Sequence, residues 1–249
     1  MTTPQRYFLK LGYKGTHYSG FQRQNNANSI QAEIEKAFFI LQKSRVELTS
    51  SSRTDTGVHA WQNYFHFDYP GTINPQFVYK INAILPPDIV VHNIYPVSPD
   101  AHCRYDATSR EYAYYVYRHK NPFLHGRAYY YPYTLDLEKM QEAARLLIGN
   151  HDFTSFSKRN TQVKNFLCTI HRSEWTQEED SFVYQVTANR FLRGMVRGLT
   201  ATMLLIGRGK MELEELQTIL LAKDNRKADF SVPGCGLFLM RVNFPEGLF

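Results

Sequence analysis

The stretch Ser51-Ser52-Arg53-Thr54-Asp55-Thr56-Gly57-Val58-His59-Ala60 concentrates residue types that could do chemistry. An Asp between two threonines, followed by a glycine and flanked by two strand candidates, can be held with its carboxylate toward open space. Gly57 permits a turn that a residue with a Cβ resists. The threonine hydroxyls can brace the loop through short bonds to its own backbone. A carboxylate held this way suits nucleophilic or base-like work. The same residues also read as ordinary turn chemistry, with Asp capping its own backbone. A second loaded stretch is Ala188-Asn189-Arg190-Phe191-Leu192-Arg193-Gly194-Met195-Val196-Arg197. Leu192, Met195, Val196, Leu199 and Met203 predict the buried stripe of a helix. Arg193 and Arg197 fall on another face at i, i+4 spacing. A guanidinium within a few ångströms of a carboxylate favours its charged form. An arginine pair on a helix is otherwise a solvated face.

The elements that must position these groups follow from periodicity. Strands are predicted over 6–15, 45–49, 61–67 and Ile89–Val97. A helix begins after the N-cap candidate Ser29, with Ile30, Ile34, Ala37, Phe38 and Leu41 at helical spacing. A weaker helix over 74–85 is stopped by Pro86-Pro87. The order β-α-β-β-α-β is ferredoxin-like, an antiparallel sheet with helices on one face and the other face free for a ligand. After a linker at 96–101, Arg110, Tyr112 and Tyr114 share one side of a strand ending near Arg118. A helix over 136–147, strands over 166–176 and 182–188 around an acidic turn at 177–180, and a helix over 213–221 complete a second half that builds a sheet like the first. Two domains are therefore expected, 1–101 with the Asp loop and 102–249 with the Tyr strand and the Arg helix.

The chain has 249 residues, a net charge of +6, 43% hydrophobic residues, and 17 Tyr beside 17 Phe. That is ordinary globular usage and argues against disorder. No apolar run reaches membrane-spanning length, so no membrane partner is expected. Cys103, Cys168 and Cys235 are odd in number and far apart, forming neither a disulfide framework nor a metal pair. A soluble, reducing, cytoplasmic setting without metal is the expectation. Basic residues interleaved with aromatic rings suit unpaired nucleobases, which stack on rings while phosphates meet cations. Most of the rings are expected to be core.

Arg53 to Ala60 resembles the active-site motif G-R-T-D-A-G-V-H-A of the tRNA pseudouridine synthase A family, with Ser52 for the leading Gly and Thr56 for the Ala. Other matches follow in order along nearly the whole chain. Tyr18-Ser19-Gly20-Phe21-Gln22-Arg23-Gln24 resembles Y-x-G-W-Q-x-Q, with Phe21 for Trp. Arg104 to Tyr114 resembles A-R-x-x-A-x-x-R-x-Y-x-Y, with Cys103 for the first Ala. Gly149 to Phe156 resembles G-x-H-D-F-x-x-F, and Leu192 to Arg197 resembles F-L-x-x-M-V-R. Val232 to Leu239 resembles A-P-x-x-G-L-x-L, with Val232 for Ala.

The resemblance implies a pseudouridine synthase fold: α+β, with two ferredoxin-like, RRM-like subdomains whose antiparallel sheets flank a central catalytic cleft. It implies Asp55, Tyr112 and Arg197 as catalytic residues. Arg53, His59, Tyr112, Lys158, Arg159, Arg193 and Leu237 become candidates for holding substrate, with Leu237 excluding water. Lys164, Lys223, Arg226 and Lys227 are further candidate phosphate contacts. The implied reaction turns uridine into pseudouridine at positions 38, 39 and 40 of the tRNA anticodon stem-loop. It would be carried out by a homodimer that needs no cofactor. Consistent with that, the sequence holds no P-loop, no GxGxxG and no metal-ligand spacing. Whether Asp55 attacks C6, attacks C1′ or removes the 2′ proton to give a glycal stays open.

Three other readings fit parts of the pattern. A non-catalytic RNA-binding protein on the same architecture would keep the basic and aromatic surface but need neither Asp55 nor Arg197. A related pseudouridine synthase could act on another RNA. A metal-independent ribonuclease would need paired histidines, and His59, His66, His102 and His151 lack telling spacing.

Overall fold

Alternating apolar residues at the start of the chain form β1 (Gln5–Tyr13). The computed structural model describes residues 4–159, 163–179 and 181–249, and Asp180 of the expected acidic turn lies outside them. The chain forms two compact units, one of residues up to Thr108 together with Leu239–Phe249, the other Ser109–Phe238.

In the first unit, β1 is followed by α1 (Ile30–Gln42), β2 (Thr49–Ser50), β3 (His59–Tyr69), α2 (Phe77–Asn82) and β4 (Ile89–Val97). The β-α-β-β-α-β order is the one the periodicity predicts. Strand β1 lies between β4 and β3 and is antiparallel to both; β2 is antiparallel to β3. Ser29 caps α1 as its residue type predicts, its hydroxyl accepting from Ala32 N–H at 3.3 Å. The strand expected over 45–49 shrinks to β2. The backbone of Leu48 is taken instead by α1 side chains, its carbonyl by Gln31 Nε2 at 3.1 Å and its N–H by Glu35 Oε1 at 3.4 Å.

One sheet face carries Leu9, Phe65 and Phe67, covered by Phe38 of α1 and by Phe21, whose ring stacks on Phe65 at 4.7 Å. The sequence reading left the opposite face free for a ligand, and that is corrected at Phe8, Tyr64 and His66. All three are buried. The chain's own Phe244 and Phe249 pack on Phe8 and Tyr64, and His102 packs on His66 at 4.5 Å. Aromatic residues near the chain end cover that part of the sheet because they bury more apolar area there than in water.

The second unit opens with β5 (Ser109–Tyr117) and the two-residue β6 (Tyr129–Tyr130), then α3 (Leu137–Leu146), β7 (Gly149–Asp152), β8 (Leu167–Glu178) and β9 (Ser181–Ala188). Helices α4 (Met195–Gly207) and α5 (Leu213–Ala222) follow, and then β10 (Leu237–Asn243). The strands run β5-β9-β8-β7, all antiparallel, with β6 added parallel to β5. Helix α4 is buried almost throughout. It is anchored to the sheet by Trp175, which stacks on Tyr184 at 5.2 Å and donates its indole N–H to Met203 Sδ. From Leu239 onward β10 belongs to the first unit, where it lies beside β3. Residues 102–108 and 239–249, expected in the second domain, thus fall in the first unit. No helix among the described residues is long and apolar enough to cross a membrane.

Candidate active site

Asp55 stands on the turn between β2 and β3, in the first unit. Val58 N–H donates to the Asp55 carbonyl at 3.2 Å, and Gly57 takes φ +77°, the left-handed conformation its residue type allows. A second loop, Tyr18 to Phe21, lies backbone against backbone on this turn. Phe21 N–H donates to the Thr54 carbonyl at 3.0 Å, and Gly57 N–H to the Tyr18 carbonyl at 3.4 Å. Gly20 makes this approach possible: it has φ +93°, and a Cβ there would lie 2.9 Å from the Thr54 carbonyl oxygen. Tyr18 is itself tied down by its phenol, which donates to Asp88 Oδ1 at 2.6 Å. Burial, and then the Asp88 carboxylate, push that phenol's pKa up, so it stays protonated.

Beneath the loop lies a buried polar cluster. Asn63 Nδ2 donates to the Ser52 carbonyl at 2.9 Å and to the Tyr13 phenol at 3.3 Å. The Tyr13 oxygen is 2.9 Å from Thr54 Oγ1. Burial pushes the Tyr13 phenol up to about 12, outweighing its bonds to Thr54 and Asn63. It therefore stays protonated, in hydrogen-bond contact with both Thr54 and Asn63. The Thr54 hydroxyl thus braces the loop through Tyr13, not through its own backbone as expected, and Thr56 is exposed. His59 is only 1% exposed, and its Nδ1 accepts from Gly15 N–H at 3.0 Å. That bond leaves the ring proton on Nε2 and makes His59 a brace behind the loop. Arg53 is exposed and Asp55 half-buried.

The other expected residues belong to the second unit. Arg197 lies in the first turn of α4, half-buried, with Nε donating to the Val232 carbonyl at 2.7 Å and Nη2 to the Phe230 carbonyl at 3.2 Å. These bonds fix the plane of its guanidinium. They also fix the segment before β10, where the Tyr114 phenol donates to the Pro233 carbonyl at 2.7 Å. Burial raises the Tyr114 pKa, so this donor is permanent. Leu237, at the start of β10, is buried. Tyr112 is half-buried on β5, and its ring meets Phe191 edge-on at 5.0 Å.

Arg193 does not share the helix with Arg197, which corrects the i, i+4 reading. Gly194, the N-cap residue at φ +76°, separates Arg193 from α4, and Arg193 is exposed. The carbonyl of Arg193 accepts from Lys158 N–H at 2.9 Å. A Cβ on Gly194 would lie 2.9 Å from Lys158 Cγ, so the lysine stem lies across that glycine. Arg159 Nε donates to Asn225 Oδ1 at 3.1 Å, beside Lys223, Arg226 and Lys227. Two of these cations are partly neutralised: Lys223 pairs with Asp152 at 3.1 Å, and Arg226 with Asp224 at 2.7 Å. The Arg226 guanidinium holds Asp224 down to about 2.

Sequence reasoning missed Tyr13, Asn63, Phe191 and the backbone carbonyls that hold Arg197. Asn63 carried a signal, since a buried amide inside the apolar run 61–67 needs hydrogen-bond partners. The carbonyls carried none.

A family model described as tRNA pseudouridine synthase matches residues 12–106 and 143–245 of the chain. A Parabacteroides distasonis protein named tRNA pseudouridine synthase A is 46% identical over 247 residues, covering 98% of this chain and 98% of its own length. Proteins of the same name from Bacteroides thetaiotaomicron and Staphylococcus aureus are 44% and 40% identical. They cover 98% and 97% of this chain, and 93% and 91% of their own lengths.

Proposed function

The chain belongs to the tRNA pseudouridine synthase family, and from that membership we propose that Asp55 carries out its reaction on uridines at positions 38–40 of the anticodon stem-loop. The enzyme is an isomerase that converts uridine to pseudouridine in tRNA. The N1–C1′ bond breaks, the base turns, C5 joins C1′, the C5 proton leaves and N1 takes up a proton. Atoms and electrons balance without a cofactor.

The observation that carries the role of Asp55 is the way its loop is held. Two loops share backbone hydrogen bonds, with buried Tyr13, Asn63 and His59 behind them, yet the Asp55 side chain itself is not buried. Rigid placement of a reacting group supplies much of the entropy that an encounter in solution would lose. The target uridine leaves its stack to reach the carboxylate, at a cost of a few kcal/mol recovered in pocket contacts. Arg197 serves as a second catalytic residue, and Tyr112, steadied by Phe191, stacks on the extruded base. Leu237 excludes water. Stacking asks only for the ring of Tyr112, while proton removal would ask its phenol to act as a base, so stacking is the role assigned to it. Arg53 contacts the RNA from the loop's exposed edge, and Lys158, Arg159 and Arg193 meet phosphates. His59 acts from behind, through the loop. The three routes open to Asp55 (attack at C6, attack at C1′, glycal formation) all require its carboxylate. We carry the homodimer and the cytoplasmic setting forward in the same reading; light scattering and cell fractionation decide them.

Tritium release from C5-labelled uridine in unmodified tRNA tests the assignment. Asp55→Asn is expected to bind tRNA nearly as the wild type does and to release no tritium. Appreciable release by that variant would remove Asp55 from the reaction.

A further inference from the structure

Between Glu111 and Asp136 the sequence holds no acidic residue, yet it carries Arg118, Lys120 and Arg127 and a run of tyrosines. Glu178 acts on Tyr115 and Asp229 on Tyr129, both in the strands of this segment. Joining β5 to β6 is a loop that orders itself locally. Asn121 Oδ1 accepts from Phe123 N–H at 2.9 Å, the Asn121 carbonyl accepts from Leu124 N–H at 3.3 Å, and the Leu124 carbonyl accepts from the N–H groups of Arg127 and Ala128, each at 3.0 Å. This turn holds the Phe123 ring in water, 77% exposed, although an apolar ring gains by burial. The Arg127 guanidinium donates to the Phe123 carbonyl, so a fixed cation and an exposed ring share the loop tip. Lys120 and Arg127 are both exposed.

We infer that this loop is an RNA-contact site, in which an unpaired base of the substrate tRNA stacks on Phe123 while neighbouring phosphates meet Lys120 and Arg127. An exposed ring between cations, with no carboxylate in the segment, is the arrangement that single-stranded nucleic acid selects. Stacking of this kind is tolerant of sequence, because every base has a π-face. The inference rests on tRNA being the substrate.

Fluorescence anisotropy of labelled, unmodified tRNA with the full-length chain tests it. Phe123→Ala is expected to weaken binding about tenfold or more, and Phe123→Trp to restore it. Lys120→Gln is expected to make the slope of log affinity against log salt shallower by roughly 0.7 to 0.9 for the lost phosphate contact. Phe123→Ala binding as tightly as wild type would overturn the inference, as would an equal loss in the Trp variant. A change of oligomeric mass in place of a change in affinity would assign the loop to a protein contact and also overturn it. If wild type itself failed to bind tRNA, the substrate reading would fall. That result is distinct from normal wild-type binding with an indifferent Phe123.

Discussion

Arg197 shows how one side chain is prepared before any substrate arrives. Two carbonyls, of Val232 and Phe230, accept from Nε and Nη2, so the planar fork is set by the backbone. A lysine would keep the charge and lose the fork. Hydrogen bonds to a charged group are worth about 1.5–3 kcal/mol, so Arg197→Lys is expected to lower turnover by roughly 10- to 100-fold in the tritium assay. A near-normal rate would take Arg197 out of the catalytic set. His66 behaves differently. Burial, and then neighbouring His102, lower its pKa to about 4, and its Nδ1 accepts from Cys103 N–H at 3.4 Å. The unfolded chain takes up a proton as pH falls through about 6.5, while the folded chain does not until about 4. Stability therefore falls as pH drops across that window and is unaffected by this group above it. Urea unfolding midpoints at several pH values are expected to show this slope, flattened in His66→Asn but not abolished, because His102 is lowered too. Parallel curves for the two proteins would contradict the assignment.

At the scale of elements, the Asp55 turn is held from outside its own sequence. Asn63 on β3 ties the Ser52 carbonyl to Tyr13 on β1, so β1, β3 and the turn form one polar knot inside an apolar layer. Removing one partner of a buried hydrogen bond costs about 1–3 kcal/mol, because the other is left unsatisfied. Asn63→Ala is expected to lose stability of that order by urea titration and to lower turnover through the loosened turn. Unchanged stability would show that water satisfies the Ser52 carbonyl instead. The order of strands and helices in the first unit was legible because apolar spacing alternates with period two and then 3.6. The Ser29 cap was legible from residue type. The loss of the strand over 45–49 was not, because it depends on Gln31 and Glu35 reaching across from α1 to Leu48. Likewise Arg193 and Arg197 keep helical spacing in the sequence, and only the left-handed Gly194 reveals that the helix has not yet begun.

For the whole molecule, the sequence motifs carried the identity of the candidate residues better than their surroundings. Asp55, Arg197, Tyr112 and Leu237 could be named from the resemblance. Tyr13 and Phe191, which hold two of these regions, could not, since each is far in sequence from the residue it supports and ordinary in type; Asn63 alone carried a signal, as an amide inside an apolar run. The covering of Phe8 and Tyr64 by Phe244 and Phe249 was equally hidden, because nothing in local periodicity tells which sheet a terminal segment joins. The net charge of +6 is consistent with a polyanionic substrate, without saying where it binds. Isomerisation of uridine in tRNA is proposed to rest on one carboxylate on a braced turn. Paired binding and tritium-release measurements on wild type and Asp55→Asn test it most directly. Similar tRNA affinity is expected for both proteins, with release from wild type and none from the variant. Release from both would contradict it.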